Sequence, residues 1–413
     1  MFGALESEGL SASMIVVHCV LILLAVYFGF GAVYQFVYAV AGLMPSPQPM
    51  PRDSKLRKFA VFIAAYKEDG VIVQTAKRAL RQRYPLENYE VVVLADQLRP
   101  ETLRELRRLQ VRLVEVSFSE STKSKSLRAG IEALEGVAFD AAVVLDADNH
   151  MAPDFLLEAN SWLAAGFRAV QGQRTAPPGA LNETARWDAV SEAVNNHILC
   201  AGHHALGMSA RLAGSGMIFD YDLYAAVMQD VNAIGGFDKE LELRLTKAGE
   251  TIAYAERAVV YDEKVSDPAV FARQRGRWLA AQYTYARRFL PGAAWRFVSN
   301  GQLDHFNKAL QMALPPRLLL PVALLVLSTA CLPWSVGYAA LFGGFFLLNL
   351  ATFGTAMPPS MWQETSWMLV SKLPELVWQA CRAVVMIPAS AKTFYHTPHT
   401  EVVTEPVRQE VEV

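Results

Sequence analysis
From Met14 to Gly42 the chain carries no Lys, Arg, Asp or Glu. At about 1.5 Å per residue, a helix of that length crosses a hydrocarbon core of about 30 Å. A secretory signal is the rival reading, but the stretch is too long for an h-region, lacks a basic n-region and is followed by no A-x-A site. Glu6 and Glu8 precede it, while Arg52, Lys55, Arg57 and Lys58 follow it. Basic residues favour the cytosolic side, so the N-terminus is expected outside and the next domain in the cytosol. A second apolar block, Leu318 to Ala356, is too long for one span and is broken near Pro333 and Gly337. It predicts a hairpin of two helices. The stretch Trp367 to Ile387 carries Lys372, Glu375, Arg382 and Pro374. Charges at mid-depth are costly, so it predicts an amphipathic helix at the interface rather than a further span.

Between these blocks the period changes. FAVFIAAY (Phe59–Tyr66), YEVVVLAD (Tyr89–Asp96), VRLVEV (Val111–Val116) and AAVVLDAD (Ala141–Asp148) read as buried strands. Helical stretches at Gly70–Arg83, Glu101–Leu109 and Ser124–Leu134 separate them. Continuous Val/Leu runs alternating with helices predict an α/β domain with a mainly parallel sheet covered on both faces. Ligands in such sheets bind beyond the carboxyl ends of the strands. Tyr66, Asp96 and Asp148 fall at those ends.

The resulting division is a transmembrane helix over 1–44, a proline-rich linker over 45–58 and the α/β domain over 59–290. Interfacial helices over 291–317, a transmembrane hairpin over 318–356, an interfacial or membrane helix over 357–392 and a cytosolic tail over 393–413 complete it. Composition agrees: of 413 residues, 53% are hydrophobic and 19% charged, and mean hydropathy is +0.19. That is apolar for a soluble protein. A net charge of -2 gives no reason to expect nucleic acid as a partner. Cys19, Cys200, Cys331 and Cys381 are far apart, with no C-x-x-C spacing. They predict buried apolar residues rather than a zinc site or disulfide framework.

Several positions could carry chemistry. Asp146-Ala147-Asp148 closes an apolar run, where a divalent cation could bridge carboxylate and diphosphate; a solvated strand end is the plainer alternative. Lys123 and Lys125 stand before a helix start, a place suited to phosphate, although lone lysines are commonly surface charge. Asp238 opens a helix, as a cap or as a base. In RQRGRW, Gln274 shares a helix face with Arg277 and Trp278. Trp stacks on sugars and Arg pairs with phosphate; a basic interfacial helix fits the same pattern.

The ordered series FIAAYKED, VVLAD, TKSKSLRAG, VVLDADN, GSGM, GGFDKELELRL and QRGRW resembles the membrane-bound family 2 glycosyltransferases. These have a GT-A fold and include the processive cellulose, chitin and hyaluronan synthases. The resemblance covers about Phe59 to Trp278. It implies that Ala65, Tyr66, Glu68 and Asp96 hold the nucleoside, that Lys125 and Asp146 lie near the donor diphosphate, and that Asp148 holds Mg²⁺ or Mn²⁺. It implies that Gly214, Ser215, Gly216 and Met217 form a loop near acceptor and donor sugar. Asp238 is then the general base, and Gln274, Arg277 and Trp278 form the Q-x-x-R-W signature at the acceptor and leaving diphosphate. The sequence departs from the family where Phe237-Asp238 replaces the common Glu-Asp, and where Asp96-Gln97 replaces paired Asp.

The resemblance implies an inverting transferase on the cytosolic face of an inner (plasma) membrane, with a nucleotide-sugar donor, a UDP-sugar above others. It implies a growing polysaccharide as acceptor; the alternative is a single sugar added to a lipid-linked acceptor. The few spans make a poor channel, so a polymer synthase would need a second copy or an export partner. Membrane lipid is a partner in either case.

Overall fold
The computed structural model describes residues 12–45, 49, 55–179, 181–233, 235–265, 267–362 and 378. Pro47 and Pro51 of the linker, Cys381, the tail from Lys392 and all of the expected 367–387 helix but Trp378 lie outside the described residues.

Helix α1 (Ala12–Ala41) leads into an alternating series: β1 (Phe59–Tyr66), α2 (Ile72–Ala79), β2 (Tyr89–Asp96), α3 (Pro100–Leu106), β3 (Val111–Val116), α4 (Lys123–Ala133) and β4 (Ala141–Asp146). Then follow β5 (His150–Met151), α5 (Phe155–Ala164), β6 (Ala169–Thr175) and α6 (Glu183–Asn195). A π-helical turn over Asn196–Gly202 joins α6 to α7 (His203–Ala205). The domain closes with β7 (Met217–Asp220), α8 (Tyr221–Asp230), α9 (Phe237–Lys247) and β8 (Ile252–Tyr261). Beyond it lie α10 (Pro268–Asn300), α11 (Leu303–Gln311), α12 (Leu320–Cys331) and α13 (Val336–Ala356).

The strands form one eight-stranded sheet in the order β3-β2-β1-β4-β7-β6-β8-β5. β1 pairs in parallel with β2 and β4, and β2 with β3. β7 runs antiparallel between β4 and β6, while β6 and β8 are parallel. This is the expected mixed, mainly parallel, GT-A-like sheet. The register sets Tyr66 opposite Asp96 and Ala64 opposite Asp146, so these strand ends share one edge. Alternate residues serve opposite faces. Phe62, Val92, Leu94 and Val144 pack in one cluster with Leu127 of α4 and Leu241 of α9. Val61, Ile63, Val93 and Leu145 pack in the other with Ile72 of α2 and Phe155 of α5.

The first four strands announce themselves through long apolar runs. The others do not: β5 has two residues and β7 four, and β8 bulges out through exposed Glu256 and Arg257 where β6 shifts register at Gly172/Gln173. No break occurs near residue 290, because α10 continues through Gly292 to Asn300. Nor is α11 an interfacial helix throughout: His305, Asn307, Lys308 and Gln311 are buried, and Lys308 faces Glu242 of α9 at 3.7 Å. Cys19 is exposed, unlike buried Cys200 and Cys331, because α1 turns most of its apolar surface outward.

Among the described residues, two helices are long and apolar enough to cross a membrane, Ser13–Ala41 and Val336–Ala356, and α12 is a shorter apolar helix. α1, α12 and α13 share a core of Leu21, Ala32, Leu324 and Phe342. The far end of α1 docks on the sheet domain. There Tyr38 stacks on His203 at 3.6 Å, and Tyr34 and Tyr38 donate hydrogen bonds to Asn307 Oδ1 at 2.9 and 3.2 Å. His203 Nδ1 donates to the Ile198 carbonyl at 2.8 Å, which leaves Nε2 to accept. Gly202 makes this docking close: a Cβ there would lie 2.0 Å from the Tyr38 carbonyl oxygen. Backbone cannot retreat as a flexible side chain can. Gly202→Ala is therefore expected to destabilise the protein by at least about 2 kcal/mol, read as a lowered Tm in detergent; an unchanged Tm contradicts the docking.

Candidate functional site
A cavity of about 500 Å³ opens at the carboxyl edge of the sheet. Its walls come from strand ends, the start of α4, the Ala213–Gly214 turn, the start of α9, the first part of α10, α6 and the chain between α11 and α12.

The strand ends are aimed by tight turns. Lys67 and Gln97, which follow β1 and β2, have φ of 59° and 55°, a region rare for side-chain-bearing residues. The Lys67 N–H donates to the Asp96 carbonyl at 3.0 Å, tying the turns together. Ala65, Tyr66, Glu68 and Asp96 consequently line the cavity. Asp96 is 1% exposed, and among the described residues neither carboxylate oxygen has a hydrogen-bond partner. Burial pushes its pKa up, against the opposing influence of Ser121 and Lys67. A buried acceptor pair without donors suits a ligand that brings hydroxyl or N–H groups.

At the start of α4, Thr122 caps the helix by accepting from the Lys125 N–H. Lys123 then reaches into the cavity, where its ammonium pairs with Asp146 and donates to the Gly214 carbonyl at 2.7 Å. Lys125 does not reach it. Its ammonium donates to the Glu120 carbonyl at 2.7 Å on the outside, and it is absent from the cavity wall. Residues two apart lie on different sides of a helix, so only one of these lysines can face the strand ends. The lysine at the site is Lys123, not Lys125.

Asp146 and Asp148 both line the cavity. The Asp146 carboxylate is partly exposed at 38%, and Asp148 is buried at 6%. Among the described residues no group of three or more His, Cys, Asp or Glu is arranged to hold a metal. The pair nevertheless fits Mg²⁺ or Mn²⁺, which accept a few carboxylate oxygens and complete their shell with phosphate and water.

Of the loop Gly214–Met217, only Gly214 lines the cavity. Ser215 is fully buried and its hydroxyl accepts from the Asp146 N–H at 3.0 Å. The Gly216 carbonyl accepts from the Gly172 N–H at 2.8 Å, and Met217 is buried in β7. These three support the wall from behind. Gln171, which the sequence does not single out, fastens the loop: its amide donates to the Ser215 carbonyl at 2.9 Å and its oxygen accepts from the Ala213 N–H at 2.9 Å. No sequence signal marked it, because neither β6 nor the burial of Gln171 shows in the pattern of residues. Glu242 adds a second tie, accepting from the Leu212 N–H at 2.7 Å.

Asp238 stands in the first turn of α9 and lines the cavity. Gly214 and Gly236 have φ of 82° and 65°, and a Cβ on Gly214 would lie 3.9 Å from Asp238 Cγ. A Cβ on Gly236 would meet that of Ala281 at 2.8 Å, so the start of α9 abuts α10. Tyr285 donates to the Gly235 carbonyl at 3.2 Å in the same contact. Gln274, Arg277 and Trp278 of α10 close the wall. Among the described residues Gln274 Oε1 is buried without a hydrogen-bond partner, and burial pushes the Arg277 pKa down. The cavity thus joins Asp96, Asp146, Asp148, Asp238 and Trp278 in one space. It extends to Tyr34 and Gln35 of α1 and to Leu314–Leu319.

Residues 57–281 match the family model described as "Glycosyltransferase like family 2". No curated protein matches the chain. Among solved structures, the mannosyltransferase PcManGT of Pyrobaculum calidifontis, in complex with GDP-Man and Mn²⁺, is 18% identical at a TM-score of 0.53, covering 90% of this chain and 98% of that one. TarS 1–349 of S. aureus is 12% identical at a TM-score of 0.40, covering 81% and 90%. Glucosyl-3-phosphoglycerate synthase of Mycobacterium tuberculosis, with Mn²⁺, UDP and phosphoglyceric acid, is 17% identical at 0.35, covering 52% and 74%.

The unpartnered carboxylate of Asp96 predicts a stability gain from Asp96→Asn. A raised acid pKa means that the folded state disfavours the charge, so the cost is present at neutral pH and fades below the unfolded-state pKa near 4. Thermal unfolding should show the Asn variant higher by roughly 1–3 °C at pH 7, with the gain shrinking towards pH 4. A lower Tm at pH 7 contradicts this.

Proposed function
The chain belongs to the glycosyltransferase-like family 2, and from that premise we propose that it transfers a sugar, with inversion, from a nucleoside-diphosphate sugar to a hydroxyl on a membrane-held acceptor. The observation that carries this reading is the meeting of Asp148 and Asp238, from separate elements, in the cavity that also holds Asp96 and Trp278. Asp96 would take the nucleoside, beside Ala65, Tyr66 and Glu68. Lys123 would attract the diphosphate, where the N-terminus of α4 adds favourable dipole. Asp148, with Asp146, would hold a divalent cation, which when bound neutralises charge on the diphosphate. The fold neighbour PcManGT carries GDP-Man and Mn²⁺, so a guanine donor is to be tried beside the UDP-sugar that the sequence resemblance implies.

An alcohol is a weak nucleophile at neutral pH. Asp238 would accept its proton as the oxygen bonds to the anomeric carbon. The bond from that carbon to the diphosphate breaks, and its electron pair leaves with the diphosphate. Lys123 and Arg277 would offset that charge in a partly dry cleft. Gln274 and Trp278 would orient the acceptor sugar by hydrogen bonding and stacking.

The acceptor in this reading is carried by a lipid and receives one sugar. Supporting it, the cavity reaches α1 and the lead-in to α12, and α1 exposes Val16, Leu23 and Val26 at 61–68% as a lipid-facing surface would require. The anchored domain would face the cytosol. Extension of a growing polysaccharide is the second reading, favoured by Gln274, Arg277 and Trp278 together. Sizing the product of a labelled donor separates them: a single addition is expected, and a ladder of chain lengths selects the polymer.

Asp238→Asn should lower turnover by at least about 10² while donor binding survives. Near-normal turnover removes Asp238 as base. Asp148→Ala should abolish the part of donor affinity that a chelator also abolishes in the wild type. Equal donor affinity in wild type and variant, with and without EDTA, removes the metal assignment.

A further inference from the structure
A second charged cluster lies on the α1 side of the same cavity. α6 presents Asp188, Ser191 and Glu192 to it, three and four residues apart on one helix face. Arg275 donates to Asp188 at 2.9 Å and to the Ser191 hydroxyl at 3.1 Å. Arg317 donates to the Ser191 carbonyl at 3.1 Å. One serine thereby brings two guanidinium groups together. Arg211 lines the same wall.

Three acids of this wall are already engaged. Asp188 pairs with Arg275. Glu192 and Asp262 pair with Arg174 and Lys264 in a buried knot. Among the described residues, no carboxylate lies within ion-pair distance of Arg211 or Arg317, and the Nε of each is buried without a hydrogen-bond partner. Burial, then the charges of Arg275 and Arg211, push the Arg317 pKa down. A guanidinium does not give up its proton in a protein, so the unfavourable energy stays until an anion answers it.

The chain around Arg317 runs along the first helix. A Cβ on Gly31 would lie 2.8 Å from Pro315 Cγ, and Tyr27 donates to the Ala313 carbonyl at 3.1 Å. An anion held by Arg317 therefore sits where the cavity meets α1, whereas Lys123 and the start of α4 serve the strand ends. Planar guanidinium groups with buried, unused N–H donors match phosphate oxygens.

We propose that Arg211, Arg275 and Arg317 form a subsite for the phosphate ester that links the acceptor to its lipid carrier. The proposal rests on the transferase reading above and names the acceptor's chemistry. Phosphate also occurs in the donor diphosphate and in bilayer headgroups, and the test separates these sources.

Full-length protein in phosphatidylcholine nanodiscs is titrated with farnesyl diphosphate, farnesol, UDP and GDP, the last two with Mn²⁺. Farnesyl diphosphate should bind at least about tenfold tighter than farnesol, and Arg317→Gln should remove about tenfold of that affinity while UDP or GDP binds as in the wild type. The unchanged nucleotide affinity also certifies that the variant is folded. Arg317→Lys should recover part of the loss. An equal loss of nucleotide affinity in Arg317→Gln would assign the cluster to the donor and overturn the proposal. Abolition of farnesyl diphosphate binding in phosphatidylglycerol nanodiscs would assign it to the bilayer and do the same. Turnover of a nucleotide sugar without discrimination between farnesyl diphosphate and farnesol defeats the subsite and leaves the transferase. Discrimination without turnover of any nucleotide sugar defeats the transferase instead.

Discussion
Everything at the cavity depends on how closely the 213–216 turn approaches the end of β4 and the start of α9. Ser215 takes the Asp146 N–H, the Gly214 carbonyl takes the Lys123 ammonium, and Gly214 lies beside Asp238. A side chain at Gly214 would be strained at φ 82° whatever the space. Gln171 and Glu242 hold the turn from behind through its own N–H and carbonyl groups. Acids from β4 and α9 thereby share one space although 90 residues or so separate them in the chain. The backbone N–H and carbonyl ties resist rearrangement, because each broken one would leave a buried polar group unmet.

The same cavity has two chemically distinct ends. One is formed by strand ends and carries Asp96, Asp146 and Asp148, suited to a nucleoside and a cation. The other is walled by α6, α10 and the chain before α12, and is rich in arginine. α10 links them, since Gln274, Arg275, Arg277 and Trp278 fall within two turns of one helix and its later residues brace the start of α9. Docking of α1 through Tyr34, Tyr38 and His203 fixes that second end against the apolar helices.

The fold class was legible because β1 to β4 are uninterrupted apolar runs, and a run buried on both faces leaves few alternatives. The sequence put Tyr66, Asp96 and Asp148 at strand ends; the structure keeps Tyr66 and Asp96 there and ends β4 two residues earlier, at Asp146. The remaining strands were not legible: β5 and β7 are too short to show a period, and Glu256-Arg257 interrupts the apolar run of β8. Spacing offered Lys123 and Lys125 alike, and the family resemblance chose Lys125, whereas Lys123 is the one that lines the cavity. Lys123 and Lys125 are equivalent as letters, and only the rotation of α4 relative to β4 tells them apart. The arginine cluster was hidden for the same reason. Arg211, Arg275 and Arg317 belong to three segments that meet only in the folded chain, and Arg275 lies beside signature residues that draw attention from it.

The most direct measurement is nucleoside diphosphate release by the full-length protein in nanodiscs across a panel of nucleotide sugars, with Mn²⁺ and then with a chelator in excess. Release from one donor class above all others, lost on chelation, is expected. Release from none of them, by protein whose folding is verified by a cooperative thermal transition, would contradict the account.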